Sequence, residues 1–282
     1  MKVKETLFKY LFLLCSIFSI FSVLLICLFL FANGLPAIHK IGFADFLFGT
    51  KWKPANNLYG IFPMIVGSLY VTAGALIIGL PVGLMTSVFL SKFCPAWLHK
   101  ILKSAINLLA GIPSVVYGFF ALMIIVPFVR DLFGGNGSSI LSASLLLAMM
   151  ILPTIVSVSE SSLNAVPQNY YEGARALGAS HERSVFSIVV PAAKSGIMAG
   201  VILGIGRAIG ETMAVIMVAG NQVRLPDSIL KGVRTLTANI VIEMGYAADL
   251  HREALIATGV VLFAFILLIN LTFNLVKNRG PV

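Results

Sequence analysis

The sequence contains few charged residues. Only 11% of its 282 residues are Asp, Glu, Lys or Arg, whereas a typical soluble domain has about 25%. Hydrophobic residues make up 59%, and the mean hydropathy is +0.98. Because so few charged side chains cannot cover a water-facing surface of ordinary size, the composition predicts an all-α integral membrane protein. The net charge of +9 does not indicate nucleic-acid binding, since the basic residues lie in short groups between apolar runs.

The sequence also lacks the motifs of an enzyme that works alone. Two of the three cysteines, Cys15 and Cys27, lie inside the first apolar run and Cys94 follows the second, so we expect no disulfide framework. The four histidines have no metal-ligand spacing, and no nucleophile and base are paired. No Gly-Lys dipeptide occurs, which excludes a Walker A loop. We therefore expect no catalytic residue, metal or cofactor on this chain.

Six apolar runs are long enough to cross a membrane, which takes about 20 helical residues. They are 11–32, 65–90, 105–129, 139–158, 193–220 and 254–276. Lysines precede the first run, as in a cleaved signal peptide, but the run exceeds the ~7–15 residues of a signal core, so we expect it to be retained. The predicted organisation is a tail and first helix at 1–33, an extracytoplasmic segment at 34–64, a transmembrane domain at 65–276 and a cytoplasmic tail at 277–282.

An even number of spans places both termini on one side of the membrane. If that side is the cytoplasm, the inner segments hold more Lys and Arg than the outer ones, which favours an N-in, C-in topology. Gly111 and Pro113 adjoin in the middle of the third run. Since proline removes a backbone donor that lipid cannot replace, we expect a distorted helix there and name both residues as candidates for a gate.

Arg207 and Glu211 are opposite charges within the fifth run, and on one continuous helix they would share a face. A charge at mid-membrane costs at least about 2.5 kcal/mol, so such residues usually mark a solute path, although an ion pair that serves only packing is the alternative. The planar donors of Arg suit an oxyanion. Glu211 could orient Arg207 or accept a proton, which would favour hydrogen phosphate over sulfate. Thr212 and Ser114 are further candidates for the path.

The loop 161–192 is too polar to contact lipid and too long for a simple turn. Pro167 favours the start of a helix at 168–177, Gly178 its end, and Ser180 the cap of a second helix that ends before Pro191. We expect this unit to project from the inner face and to present a partner with an apolar surface formed by Tyr170, Tyr171, Ala174 and Leu177. A solvated surface loop is the alternative. The outer segment 221–253 is apolar enough to form a short helix on the bundle.

The loop resembles a family signature. Importer permeases of the ATP-binding-cassette class carry E-A-A, three residues, G, nine residues and I-x-L-P. Here the pattern is Glu172-Gly173-Ala174, Gly178 and Ile188-Val189-Val190-Pro191, with Gly173 for the first Ala and Val190 for the Leu. Further stretches resemble the phosphate branch of these permeases, from about residue 48 to the last span: 52–54, 59–63, 109–118 and 207–214.

The resemblance implies a type I importer permease fold in the bacterial cytoplasmic membrane. It implies three partners: a second permease subunit, two copies of an ATPase subunit that uses ATP and Mg²⁺, and an extracytoplasmic phosphate-binding protein. Arg207 and Glu211 would lie on the phosphate path. The residues implied in coupling to the ATPase are Glu172, Gly173, Ala174, Gly178 and Pro191. An importer of molybdate or sulfate, a secondary transporter or channel working alone, and a purely structural scaffold remain the alternatives.

Overall fold

A computed structural model describes residues 2–278, which are mainly helical. The helices are α1 Lys2–Ile41, α2 Phe43–Phe48, α3 Phe62–Val88, α4 Ala96–Gly111, α5 Ser114–Phe120, α6 Val126–Phe133, α7 Ile140–Asn164, α8 Gln168–Ala176, α9 His181–Ser184, α10 Val190–Ala192, α11 Lys194–Gly210, α12 Met213–Val218, α13 Leu236–Met244 and α14 Asp249–Asn278. Single π-helical turns follow α3, α5 and α9, at Phe89–Phe93, Ala121–Ile125 and Val185–Val189. A small antiparallel hairpin pairs β1 Trp52–Lys53 with β2 Leu58–Tyr59.

The six predicted spans correspond to five continuous apolar helices and one bent pair within the described residues. The continuous spans are Glu5–Ile41, Phe62–Phe93, Ser114–Phe133, Ile140–Asn164 and Asp249–Thr272. The sixth consists of His181–Ala192 and Lys194–Gly210, which meet at 69°. Two of the predicted spans, the third and the fifth, extend across a helix break.

The predicted third span, 105–129, combines parts of two helices. α4 ends at Gly111, Ile112 and Pro113 are extended, and the membrane span begins at Ser114. Proline cannot continue the hydrogen-bond ladder of α4, and it restricts the residue before it to extended conformations. The distortion that we expected at this point is confirmed, and it is a complete break.

The predicted fifth span, 193–220, is also interrupted. α11 ends at Gly210, Glu211 is extended, and α12 begins at Met213. At its inner end, the second helix of the loop does not stop before Pro191 but continues through the π-helical turn to Ala192.

The first helix is longer than predicted and continues to Ile41, into the segment assigned as extracytoplasmic. A Cβ atom at Gly34 would lie 2.5 Å from Cγ2 of Val260, so this glycine allows α1 to approach α14 closely. Lys40 then bonds Glu253 at 2.7 Å. Most of the predicted tail 277–282 lies outside the described residues.

Helix α7 forms the centre of the bundle, with α3 on one side and α11 on the other. Ile155 of α7 is fully buried between two glycines, because a Cβ atom at Gly83 of α3 or at Gly204 of α11 would lie 2.9 Å from its side chain. Small residues on the outer helices thus let three backbones approach closely, as is common in membrane bundles.

An outer layer closes the extracytoplasmic end, and the helix expected in 221–253 is present there as α13. Glu243 of α13 accepts from Trp52 Nε1 at 2.7 Å, binds His251 Nε2 at 2.9 Å and pairs with Arg234. Burial raises the pKa of the nearby Tyr59 hydroxyl, which stays protonated at neutral pH. These bonds tie the hairpin, α13 and the start of α14 into one unit.

This packing predicts opposite effects for two glycines of α11. Gly204→Ala forces a methyl group against Ile155 and should destabilise the chain by about 1–3 kcal/mol. Gly206→Ala, two residues away, meets nothing within 4 Å and should stabilise by up to about 1 kcal/mol through helix propensity. Thermal unfolding of the purified chain in detergent measures both. Equal midpoints for the two variants would contradict this account of the α7–α11 contact.

Candidate functional site

The two helix breaks lie next to each other inside the bundle. A Cβ atom at Gly118 of α5 would lie 2.9 Å from Cα of Ala214 and 2.7 Å from Sδ of Met217 in α12, so these helices touch. Both run outward in the N-in topology. The first turns of α5 and α12 therefore lie side by side, just after the two breaks.

At the first break, a side chain adds a hydrogen bond at the end of α4. The Tyr117 hydroxyl donates to the Leu109 carbonyl at 2.9 Å, and the same carbonyl accepts from the Ile112 N–H at 3.3 Å. Ser114 is half-buried at the start of α5. Around Gly111 the space is open, since a methyl group added there would meet nothing within 4 Å. Tyr117 was not among the predicted residues, although its place one turn after Ser114 could have indicated it.

At the second break, Glu211 accepts hydrogen bonds from the backbone. Its Oε1 accepts from the backbone N–H groups of Thr212 at 3.1 Å and Ala214 at 3.2 Å, so the carboxylate caps α12. The Thr212 hydroxyl donates to the Gly210 carbonyl, and the Thr237 hydroxyl donates to the Glu211 carbonyl, each at 3.1 Å. The backbone at the second break is thus bonded both by side chains of the break itself and by a side chain of the outer layer.

Arg207 occupies the last turn of α11 and is half-buried. In the described part of the chain it makes neither a hydrogen bond nor a salt bridge, and its charge acts on the nearby Tyr117 hydroxyl. The predicted alignment of Arg207 with Glu211 on one continuous helix face is wrong, because the helix ends between them. Its guanidinium donors remain available beside two breaks lined with hydroxyl groups.

Two glycines of α11 pack on α7. Cβ atoms added at Gly200 and Gly204 would meet Ser159 and Ile155 of that helix. On the other side, Ile205 and Ile209 are buried against α3 and α14 rather than turned to lipid. Close helix packing therefore explains these glycines, and the polar surface is confined to the end of α11.

The cytoplasmic loop has the predicted form of a helix, a glycine turn and a second helix. Gly178 ends the first with φ +84°, and Ser180 Oγ accepts from the Arg183 N–H at 3.2 Å to cap the second. Of the predicted contact surface, Leu177 is 91% exposed and Tyr170 is 53% exposed, whereas Ala174 is half-buried. Tyr171 turns inward instead and bonds His181.

Part of the family signature lies on the accessible side of this loop. Glu172, Gly173 and Pro191 are exposed, whereas Val189 is buried. A groove of about 430 Å³ is lined by polar and apolar groups of both helices and the turn between them, including Ala174, Leu177 and Gly178. The exposed side chains of Leu177 and Ile188 both line this groove and make part of it apolar.

The pattern of one transport family covers residues 79–279, including both breaks and the cytoplasmic loop. It is described as the inner membrane component of binding-protein-dependent transport systems. The chain belongs to this family. It is accordingly a multi-pass inner-membrane permease, in agreement with its apolar spans.

Several relatives resemble this permease over most of its length. A probable ABC transporter permease protein, YqgH of Bacillus subtilis, is 38% identical, covering 91% of this chain and 86% of its own. The phosphate transport system permease protein PstC of Xylella fastidiosa (strain 9a5c) is 37% identical over 82% of this chain and 77% of its own. The probable PstC of Methanocaldococcus jannaschii is 31% identical, covering 91% and 88%.

Solved structures of ABC importers share the fold. A bacterial transporter that imports the acidic polysaccharide alginate aligns over 100% of both chains with a TM-score of 0.67 and 14% identity. The MetNI methionine transporter, in an inward-facing form, aligns over 78% of this chain and 93% of its own, with a TM-score of 0.58 and 20% identity. The predicted type I importer permease fold is thus confirmed.

The capping role of Glu211 can be tested by two substitutions. Glu211→Ala removes the acceptor for the N–H groups of α12 and should lower stability by about 1 kcal/mol, whereas Glu211→Gln keeps an acceptor oxygen and should lower it less. The unfolding midpoint of the purified permease in detergent reports both. If Gln costs as much stability as Ala, the charge of Glu211 rather than its cap supports the break.

Proposed function

We propose that this permease is the membrane-spanning subunit of an ATP-driven, binding-protein-dependent importer of inorganic phosphate, and that it forms half of the translocation path. The observation that carries the proposal is the position of Arg207 beside two adjacent helix breaks, where its donors bond no group among residues 2–278. The names of the relatives in Xylella fastidiosa and Methanocaldococcus jannaschii support phosphate as the substrate.

The chemistry of the two breaks suits a small oxyanion. Arg207 supplies a fixed positive charge and a planar set of donors, which bind phosphate oxygens in pairs. The Ser114 hydroxyl at the start of α5 can donate a further hydrogen bond, and the Thr212 hydroxyl, which donates to the Gly210 carbonyl, can do so by exchanging that bond. Because hydrocarbon surrounds the bundle, these interactions are stronger than in water. Gly111 and Pro113 let the first break open and close as a gate.

Another oxyanion is the second candidate. Sulfate and molybdate have the same charge and similar shape, so Arg207 alone does not separate them from phosphate. Glu211 could do so, because its second carboxylate oxygen can accept a proton that hydrogen phosphate carries and sulfate lacks at neutral pH. Competition of each anion with labelled phosphate uptake discriminates between these substrates.

The energy for transport is supplied by partners in this proposal. The exposed loop formed by α8 and α9 docks on an ATPase subunit, and Leu177 and Tyr170 supply the apolar contact. ATP and Mg²⁺ bind to two copies of that ATPase, and this chain itself binds no cofactor. A second permease subunit completes the path, and an extracytoplasmic phosphate-binding protein delivers the substrate to the outer layer.

The first test of the proposal is the loss of Arg207. Arg207→Ala should reduce uptake of radiolabelled phosphate at micromolar concentration by at least about tenfold, since it removes a charge-assisted pair of hydrogen bonds. Arg207→Lys keeps the charge without the planar fork and should retain part of the activity. The assay uses cells that lack the chromosomal copy, with membrane levels measured by immunoblot.

Arg130→Ala is the matched control, because Arg130 is exposed and pairs only with its neighbour Asp131 among the described residues. It should leave uptake unchanged. If Arg207→Ala is equally abundant and transports normally, the guanidinium serves packing and the proposed path is wrong. If wild type restores no uptake, phosphate is not the substrate.

The coupling surface is tested by variants that keep the spans intact. Glu172→Lys reverses an exposed charge on α8, and Gly178→Asp places a side chain at φ +84°, where non-glycine residues are strained. Both should abolish uptake while ATP hydrolysis by the assembled transporter continues. Gly173→Ala, which introduces the alanine of the family signature and meets no described atom within 4 Å, is the control and should keep uptake. Normal uptake by both test variants would exclude this loop as the coupling surface.

A further inference from the structure

One histidine joins the cytoplasmic loop to the end of α3. His181, the first residue of α9, approaches two groups that are far from each other in sequence. Its Nδ1 lies 2.9 Å from the Tyr171 hydroxyl of α8, and its Nε2 lies 3.1 Å from the Lys92 carbonyl in the π-helical turn after α3. The ring thus bridges the helix proposed to contact the ATPase and a helix that spans the membrane.

The partners determine which nitrogen carries the proton. The Lys92 carbonyl can only accept, so Nε2 must be the donor, and in the neutral ring Nδ1 then accepts from the Tyr171 hydroxyl. A protonated ring would donate from Nδ1 to the same hydroxyl oxygen. Both contacts are therefore compatible with either charge state of the ring.

Apolar packing supports the bridge. The ring of His181 meets Phe93 edge-on at a centroid distance of 4.7 Å and Tyr171 at 5.7 Å. Phe93 and Tyr171 in turn pack on a core cluster that includes Leu163 of α7 and Val185, both fully buried. Partial exclusion of water strengthens the two hydrogen bonds and holds α8 in a defined position.

The Lys92 carbonyl lies at a junction of the bundle. It is one of the last carbonyls of the α3 segment, which have no partner within the helix. Beside it, Ser91 Oγ donates to the Asn164 side chain at the end of α7, at 2.6 Å. After Pro95 the chain enters α4, which leads to the first helix break.

Helix α4 is fixed at the same end of the bundle. Buried Glu160 of α7 binds His99 at 2.8 Å and Lys103 at 2.6 Å. The end of α3 is therefore connected through α4 to the first break, which lies beside Arg207. Packed side chains and hydrogen bonds of this kind can carry the movement of one helix to another.

We propose that His181 is a positioning residue that transmits movement of α8 to α3 and α4, and so couples ATP hydrolysis to the opening of the first break. This inference rests on the proposed function of α8 as the contact for an ATPase. Tyr171 and His181 act as one unit in it, and the backbone carbonyl of Lys92 is the point where the movement reaches the membrane span.

Three substitutions separate the two contacts. Gln places its amide nitrogen near the position of Nε2, so His181→Gln keeps the contact with Lys92. Tyr171→Phe removes one oxygen and breaks the other contact with little effect on folding. His181→Ala breaks both. In the reconstituted transporter with its ATPase and binding protein, His181→Ala should lower the phosphate transported per ATP by about tenfold while ATP hydrolysis continues.

The comparison of variants is decisive. Because the two residues act in series, His181→Ala with Tyr171→Phe should be no worse than His181→Ala alone, and Tyr171→Phe should match His181→Gln. Additive losses would overturn the inference. If His181→Ala fails to assemble, Tyr171→Phe alone decides, and a normal ratio of phosphate to ATP would contradict a coupling role. His39→Ala, exposed at the outer end of α1, is the histidine control.

A second readout does not depend on phosphate. Cys94 follows Phe93 directly and is half-exposed, so its rate of reaction with a thiol reagent reports movement at the end of α3. With Cys15 and Cys27 replaced by serine, ATP should change that rate in the otherwise wild-type assembly and not in His181→Ala. If the change persists in His181→Ala, the inference is wrong even where the transporter carries phosphate. If wild type responds to ATP but imports no phosphate, the substrate is wrong and the role of His181 stands.

Discussion

A helix that ends inside a membrane leaves backbone N–H and C=O groups that hydrocarbon cannot satisfy, and the rest of this structure depends on how that constraint is met. Two helices end within the apolar runs predicted to cross the membrane, at Gly111 and Gly210. At these ends the Tyr117 hydroxyl donates to a carbonyl of α4, and the Glu211 carboxylate accepts from N–H groups of α12. The breaks are therefore stable polar positions in an apolar bundle. They place polar groups beside the charge of Arg207, where an anion can bind in the proposed function.

The bundle holds the breaks in place through close packing rather than through many polar contacts. Glycines of α3 and α11 enclose Ile155 of α7, which fixes the end of α11 relative to the centre. At the inner end, buried Glu160 ties α4 to α7. At the outer end, Thr237 binds the Glu211 carbonyl. The same breaks are thus connected to the cytoplasmic loop on one side and to the outer layer on the other.

Local signals in the sequence predicted much of the fold. Apolar runs indicated the spans, Pro113 indicated the first break, and Gly178 and Ser180 indicated the turn and cap of the loop. These features depend on residues close in the chain. The end of α11 could not be predicted in this way, because the apolar pattern continues past Glu211, and the break depends in part on Thr237 far along the chain. The inward turn of Tyr171 likewise requires the Lys92 carbonyl, through His181.

The central claim, that the two breaks form a phosphate site, is tested most directly by cysteine protection in the assembled transporter. Ser114→Cys and Thr212→Cys would be placed singly in a chain whose three native cysteines are replaced, with Ile209→Cys, buried against α3 and α14, as the control. The account predicts that a charged thiol reagent labels the first two positions and not the control. It further predicts that phosphate slows this labelling whereas sulfate does not. Labelling of Ser114→Cys and Thr212→Cys that is unaffected by phosphate would contradict the claim.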